Sequence, residues 1–280
     1  MPNDIKSKVI PIFLLLPALS IMFFLYLYPF ILSIVTSFVD DQGHFTLNYY
    51  IEAITSYGQD IVFTFWISLL STFVAALVAV AIAAYLRLSN SPFKRFINAL
   101  YRFPLFIPMV VVAQMMRTFL APHGLFNVML LQLGLIDIEN PPWFFDWKGL
   151  LIGFVWKQTP FMVLIILGGF QMIDDSLIEA ARSVGANTLR VLLNIMLPIA
   201  RASLAIAMIL TFASNVSTFT LPYMLIGGAV PTTITVDIAH RVVYFGDWGT
   251  ANALGTISYL MVGIFSVYYL EEMTKRGVYE

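Results

Sequence analysis

Long apolar stretches, each set off by a short polar segment, recur along the whole chain. A bilayer core is about 30 Å thick, so a helix needs roughly 20 apolar residues to cross it. Stretches at about 10–38, 61–86, 97–120, 150–173, 199–226 and 251–270 meet that length. Helix is the expected element in each, because a backbone in lipid must satisfy its own hydrogen bonds. The pattern therefore predicts an all-α, polytopic membrane helical bundle with about six transmembrane helices, forming a single transmembrane domain over residues 1–280. Lys6 and Lys8 precede the first stretch as they would in a signal peptide. Its apolar run is far longer than the roughly 7–15 residues of a signal core, so it reads as a retained helix.

Charge then orients the spans. Basic residues favour cytoplasmic loops. Lys6 and Lys8 lie before span 1; Arg87, Lys94, Arg95 and Arg102 lie around the loop between spans 2 and 3. Arg182, Arg190 and Arg201 fall between spans 4 and 5, and Lys275 and Arg276 follow span 6. The alternate loops are acidic, with Asp40, Asp41, Glu52 and Asp60, then Asp137, Glu139 and Asp146, then Asp237 and Asp247. Both termini are accordingly expected in the cytoplasm. The long external loop, about 121–149, carries Asn140-Pro141-Pro142-Trp143 and several aromatics, as an interfacial belt or a docking surface does.

Composition narrows the chemistry. Of the 280 residues, 60% are hydrophobic and 11% charged, too little charge for a soluble surface. With no cysteine there are no disulfides and no thiolate metal sites. A formal net charge of -1 argues against a nucleic-acid partner. The three histidines, His44, His123 and His240, are far apart, and neither HExxH nor a GxxxxGK phosphate loop occurs. The reading therefore assigns no catalytic residue, no metal site and no cofactor to this chain.

The most informative polar segment is Asp174-Asp175-Ser176-Leu177-Ile178-Glu179-Ala180-Ala181-Arg182-Ser183-Val184-Gly185. Ser176 and Glu179 have capping-box spacing, which predicts a helix starting near Ser176. Gly185 is a natural stop, since glycine accepts the left-handed conformation after a last turn. A helix of about nine residues is too short to stand alone and needs a packing surface. Ala180 and Ala181 would let another protein approach its backbone closely.

Glu179-Ala180-Ala181, three residues, Gly185, nine residues, Ile195, one residue and Leu197-Pro198 resemble the EAA signature. That signature marks permeases of ATP-binding cassette importers fed by a substrate-binding protein. Every signature position matches, in the cytoplasmic loop before the penultimate span. The likeness extends to Pro17-Ala18, Tyr28-Pro29, Trp156-Lys157 and Gly168-Gly169-Phe170-Gln171. It implies the type I importer permease fold, with a coupling helix over about 175–186. Ser176, Glu179, Ala180, Ala181 and Gly185 are the coupling residues it implies. It also implies the partners: a dimer of nucleotide-binding ATPases carrying ATP and Mg, a second permease subunit that is a different chain, an external or periplasmic substrate-binding protein, and lipid. The implied location is a bacterial or archaeal plasma (inner) membrane.

Span 5 is polar at its centre, with Thr211, Ser214, Asn215, Ser217, Thr218 and Thr220. Hydroxyls of this kind either fasten helices together or line a path. The reading places Asn215, Ser214, Ser217 and Thr218 in the substrate path, with Gln114 of span 3 as a weaker member. Lys157 within span 4 is read as structural, because lysine can snorkel. An ion-coupled secondary transporter would call for carboxylates or histidines within the spans and for short, broken helices. No obvious carboxylate and no broken pair is read in the sequence. A membrane enzyme would need a catalytic constellation, and none stands out. For substrate, Leu221-Pro222-Tyr223-Met224-Leu225-Ile226-Gly227-Gly228 resembles the polyamine, iron, thiamine and sulfate-type branch. A small charged or polar solute, polyamine-like or phosphonate-like, is the expectation, with a sugar or glycerol-phosphate as the alternative.

Overall fold

The computed structural model describes residues 15–40, 42–137, 139–227 and 231–277. Lys6, Lys8, residues 10–14 of the first expected span, Asp41, Gly228 and the side chains of Lys275 and Arg276 lie outside the described residues. Every long element is helical. Among the described residues the only extended pairing is an isolated antiparallel bridge between Val39 and Phe45.

In chain order the helices are α1 (Leu15–Thr36), α2 (Asn48–Leu88), α3 (Phe93–Leu100), α4 (Met109–Phe119), α5 (Leu125–Gln132) and α6 (Trp147–Gln171). There follow α7 (Asp175–Ser183), α8 (Thr188–Ile199), α9 (Arg201–Ser217), α10 (Thr220–Ile226), α11 (Ile234–His240) and α12 (Trp248–Gly277). By length and composition α1, α2, α6 and α12 are each able to cross a membrane alone. The third and fifth expected spans are instead bent pairs. Phe93–Phe106 meets Met109–Phe119 at 108°, and Thr188–Ile199 meets Arg201–Ser217 at 76°. The count reaches six if each pair is one span. This corrects the sequence reading that no broken helices are present.

Proline accounts for much of the irregularity. Pro108 pushes Ile107 into extended backbone, φ -86 and ψ 123, which ends the turn Phe103–Phe106. Tyr28-Pro29 and Leu197-Pro198 act more gently. Proline has no N–H to give the carbonyl four residues back, and its ring crowds that carbonyl. In both places the chain widens into a π turn just before, over Phe23–Leu27 and Leu192–Met196. The N–H groups of Tyr28 and Leu197 reach back to the carbonyls of Phe23 and Leu192.

The chain forms two compact units. One comprises Met1–Gly58 with Ile238–Ile257, the other Gln59–Asp237 with Ser258–Glu280. Within the first unit, Asn252 of α12 accepts from the Ser33 hydroxyl at 2.9 Å and donates to the Thr36 hydroxyl at 2.9 Å. Arg241 pairs there with Glu52 at 2.6 Å and Asp247 at 3.1 Å. The apolar side chains of α1 are left exposed, with Tyr26 at 72%. Lipid removes the drive to bury them.

In the second unit α2 presents Ala75, Ala79 and Ala83 at four-residue spacing, fully buried. Small residues so spaced let helix backbones approach. Met162, Val163, Ile166 and Phe170 of α6 fill the same core. A second core joins Val112 and Met116 of α4, Leu150 and Phe154 of α6, and Leu221 and Leu225 of α10.

Candidate functional site

Helix α7 is the expected coupling segment, and its ends are built differently from the sequence reading. Asp174, not Ser176, is the N-cap: its carboxylate accepts from the Ser176 backbone N–H at 2.9 Å. A carboxylate beside the positive end of a helix satisfies an orphan donor and complements the dipole. Ser176 therefore falls inside the first turn, and the capping-box expectation is replaced. The Ser176 N–H, together with its hydroxyl, holds the Asp174 carboxyl below its usual range. At the other end Gly185 has φ +87, as a left-handed stop requires. Its N–H bonds to the Arg182 carbonyl at 2.9 Å, and the Ala186 N–H bonds to the Ala181 carbonyl at 3.0 Å. Those two bonds make a complete Schellman closure.

Two arginines fasten this helix to the end of α2. Arg87 donates to the carbonyls of Phe170 at 3.0 Å and Ile173 at 2.8 Å, and pairs with Asp175 at 2.6 Å. Arg182 reaches the Leu88 carbonyl at 3.4 Å. Ile178 is buried in the core below. On the opposite side Glu179 and Ala180 are exposed, as are Leu177 at 49% and Val184 at 85%. Ala181 is half-buried. Leu177 in this short polar helix and Val184 at its C-cap are thus large apolar side chains left uncovered within this chain. The sequence reading used Arg87 only to orient the chain and missed this clamp.

The polar residues of α9 divide. Asn215 is 1% exposed and takes part in a buried network. Its Oδ1 accepts from Gln158 Nε2 at 3.1 Å, and its Nδ2 donates to the Thr72 hydroxyl at 3.3 Å. Gln158 also donates to the Ser214 hydroxyl at 2.8 Å. Three helices, α2, α6 and α9, thus share one amide pair. Within this chain Asn215 is buried and bonded to neighbouring helices. Ser214 and Ser217 are exposed and Thr218 is half-buried. The Ser217 and Thr218 hydroxyls donate to the Ala213 and Ser214 carbonyls at 2.8 and 2.6 Å. Gln114, exposed on α4, borders a separate and largely apolar cavity with Arg117 and His123, so it is not brought to the α9 cluster.

Thr72 joins this network from a row of buried α2 hydroxyls that the sequence reading passed over. Thr64, Ser68 and Thr72 recur every four residues and are all buried, with Ser71 beside them. A hydroxyl stripe at helical spacing inside an apolar span is a legible signal for an inward polar face.

Lys157 serves the bend of the third span. Its ammonium donates to the carbonyls of Pro104 and Ile107, each at 2.8 Å. The Pro104 carbonyl is the one a residue with an N–H at position 108 would serve, so there the lysine supplies a donor that proline lacks. Its structural role on the sequence reading agrees with this geometry. Among the described residues there is no group of three or more His, Cys, Asp or Glu that could hold a metal.

Comparison with known proteins places the chain. Residues 75–278 match the family described as "Binding-protein-dependent transport system inner membrane component". The chain is 28% identical to the sulfoquinovosyl glycerol transport system permease protein SmoG of Agrobacterium fabrum, over 95% of this chain and 91% of that one. It is 30% identical to the trehalose/maltose transport system permease protein MalF of Thermococcus litoralis, over 62% of this chain and 61% of that one. Its fold resembles a chain of a bacterial ABC transporter involved in the import of the acidic polysaccharide alginate, with a TM-score of 0.77 at 20% identity over 98% of both chains. With its apolar membrane-crossing helices and this match over most of its length, the chain belongs to the binding-protein-dependent inner membrane components, the permeases of ATP-binding cassette importers.

Proposed function

We propose that this chain forms half of a translocation path for a small polar solute of carbohydrate type, delivered by an external binding protein. A second permease subunit completes the path, and a pair of ATPase subunits that carry ATP and Mg drives it. The chain itself performs no chemistry. Helix α7 couples it to the ATPases. The observation that carries the reading is the two-sided character of α7. Arg87 and Ile178 hold one side to the permease, while Leu177, Ala180 and Val184 face outward. A short helix so held transmits a push on its outer face to the ends of α2 and α6. Ser214, Ser217 and Thr218 offer hydroxyls to the path, and Gln114 is a separate contributor.

The solute preference moves from polyamine-like or phosphonate-like to carbohydrate. The relatives that cover 95% and 62% of this chain are named for a sulfoquinovosyl glycerol and for trehalose and maltose, while a spermidine/putrescine permease of Haemophilus influenzae matches at 27% identity over 58% of it. Neutral hydroxyls suit sugar hydroxyls, and the described spans offer no metal-binding cluster. The test is the importer assembled with its own partner subunits in vesicles. ATPase activity should rise when the binding protein is loaded with a glycoside or an oligosaccharide. A rise with spermidine or an alkylphosphonate, and none with any sugar, would overturn the solute class. Reporters after residue 280 and near residues 90 and 188 should read cytoplasmic, and those near residues 48, 135 and 235 external. An external C-terminus would remove the proposed orientation.

A further inference from the structure

Helix α3 is unlike the spans around it. Phe93, Phe96 and Leu100 are each more than half exposed, and the Phe93 and Phe96 rings lie 5.0 Å apart. Lys94 and Arg95 stand between them. The segment containing α3 meets α4 at 108° within the third bent span. A short helix with aromatic and aliphatic residues on one side and basic residues on the other suits the interfacial end of a span, where apolar side chains meet lipid and basic ones meet headgroups.

Two cavities flank this helix. The first, of about 540 Å3, is bordered by Arg87, Lys94, Arg95, Arg102, Asn98 and Gln171, with Asp175 as its one carboxylate. Arg87 is already paired with Asp175, and Arg102 bonds to the Tyr101 hydroxyl. Lys94 and Arg95 have no carboxylate partner among the described residues. The second cavity, of about 620 Å3, is almost wholly apolar and is walled by Val74, Val78, Leu100, Phe103 and Trp156. One stripe of α2, Val74, Val78, Ile82 and Leu86, runs from the apolar cavity to the basic one at four-residue spacing. At about 1.5 Å per residue that stripe is about 18 Å long.

We infer that the basic cavity between α2, α3 and α6 binds the phosphate headgroup of an anionic phospholipid whose acyl chain lies along the apolar cavity. The excess of positive charge selects an anion, and the adjoining apolar groove selects a lipid over free phosphate. Basic pockets between helices at this depth are suited to such headgroups. Because Arg87 borders the cavity and also holds Asp175 of α7, a phosphate there would share the guanidinium with the coupling helix. Lipid composition would thereby set how firmly α7 is held. This inference stands apart from the solute assigned to the importer.

The test is native mass spectrometry of the assembled importer, purified from vesicles containing equal phosphatidylglycerol and phosphatidylcholine. The wild type should retain phosphatidylglycerol preferentially. Lys94→Gln and Arg95→Gln should each weaken retention by about fivefold, the value of one basic residue near a lipid surface. Arg190→Gln, on an exposed basic residue away from the cavity, should leave it unchanged. Val78→Trp, which fills the apolar groove, should weaken it too, and millimolar inorganic phosphate should not displace the lipid. Equal retention of both lipids by the wild type would overturn the site. So would an equal loss with Arg190→Gln, which would assign the effect to overall charge. Displacement by inorganic phosphate, with no effect of Val78→Trp, would make the ligand free phosphate and overturn the lipid assignment.

Discussion

The carboxylate of Asp175 and the guanidinium of Arg87 stand 2.6 Å apart, joining the first turn of α7 to the last turn of α2. The two partners are unequally committed: the Arg87 side chain is 17% exposed and that of Asp175 is 73% exposed. Arg87 also serves the carbonyls of Phe170 and Ile173.

That asymmetry predicts unequal mutants. Asp175→Asn removes an exposed ion pair and should cost less than about 1 kcal/mol. Arg87→Ala also strips two carbonyls of a charged donor and should cost about 1.5–3 kcal/mol locally. Amide hydrogen exchange over residues 175–183 should therefore accelerate strongly in Arg87→Ala and slightly in Asp175→Asn. Solute-stimulated ATPase activity should fall in the same order. Equal protection in both variants would show that the clamp does not hold α7.

At Gly185 the penalty for a side chain comes from the backbone alone. The left-handed conformation costs an L-residue about 1–2 kcal/mol, and a Cβ built there meets nothing within 4 Å. Asparagine tolerates this conformation best, and a β-branched residue worst. Uptake should decline in the order Gly, Asn, Ala, Val, with membrane levels maintained. Normal uptake by Gly185→Val would count against α7 as the coupling element.

Lys157→Met should loosen the bend at Pro108. The two carbonyls it abandons were held by a charged donor, and the loss should be about 1.5–3 kcal/mol. The melting temperature of the purified importer should fall, while the affinity of the binding protein for its solute stays the same. A variant that melts normally but has altered solute selectivity would move Lys157 into the path.

The α9 cluster predicts a pattern of cysteine reactivity on a chain that has no native cysteine. Ser214→Cys and Ser217→Cys should react with a small water-soluble thiol reagent, and nucleotide trapping should change their rates. Asn215→Cys should stay protected and should cost about 1–3 kcal/mol, because it strands part of the Gln158 amide. Rapid labelling at residue 215 in a transporting variant would return it to the path.

Six apolar stretches, the charge of their loops and the spacing from Glu179 to Pro198 were legible because each is a property of local sequence. Span length follows from bilayer thickness, and a glycine stop follows from the conformational freedom of one residue. The α7 stop at Gly185 was read in this way. Other features depended on partners far along the chain. The break at Pro108 was not read, and the carbonyl of Ile107 at its 108° bend is bonded by Lys157, about fifty residues away. Asp174 displaced Ser176 as cap because residues two apart could each serve, and only the backbone path into the helix chose between them. Asn215 looked as fit for a path as for packing, since an amide needs partners but does not name them. Thr72 and Gln158 reach it from sequence separations of 143 and 57 residues. Periodicity and composition determine which segments enter the membrane. The choice among chemically equivalent polar partners is made by distance in the folded chain, where a buried donor must find an acceptor.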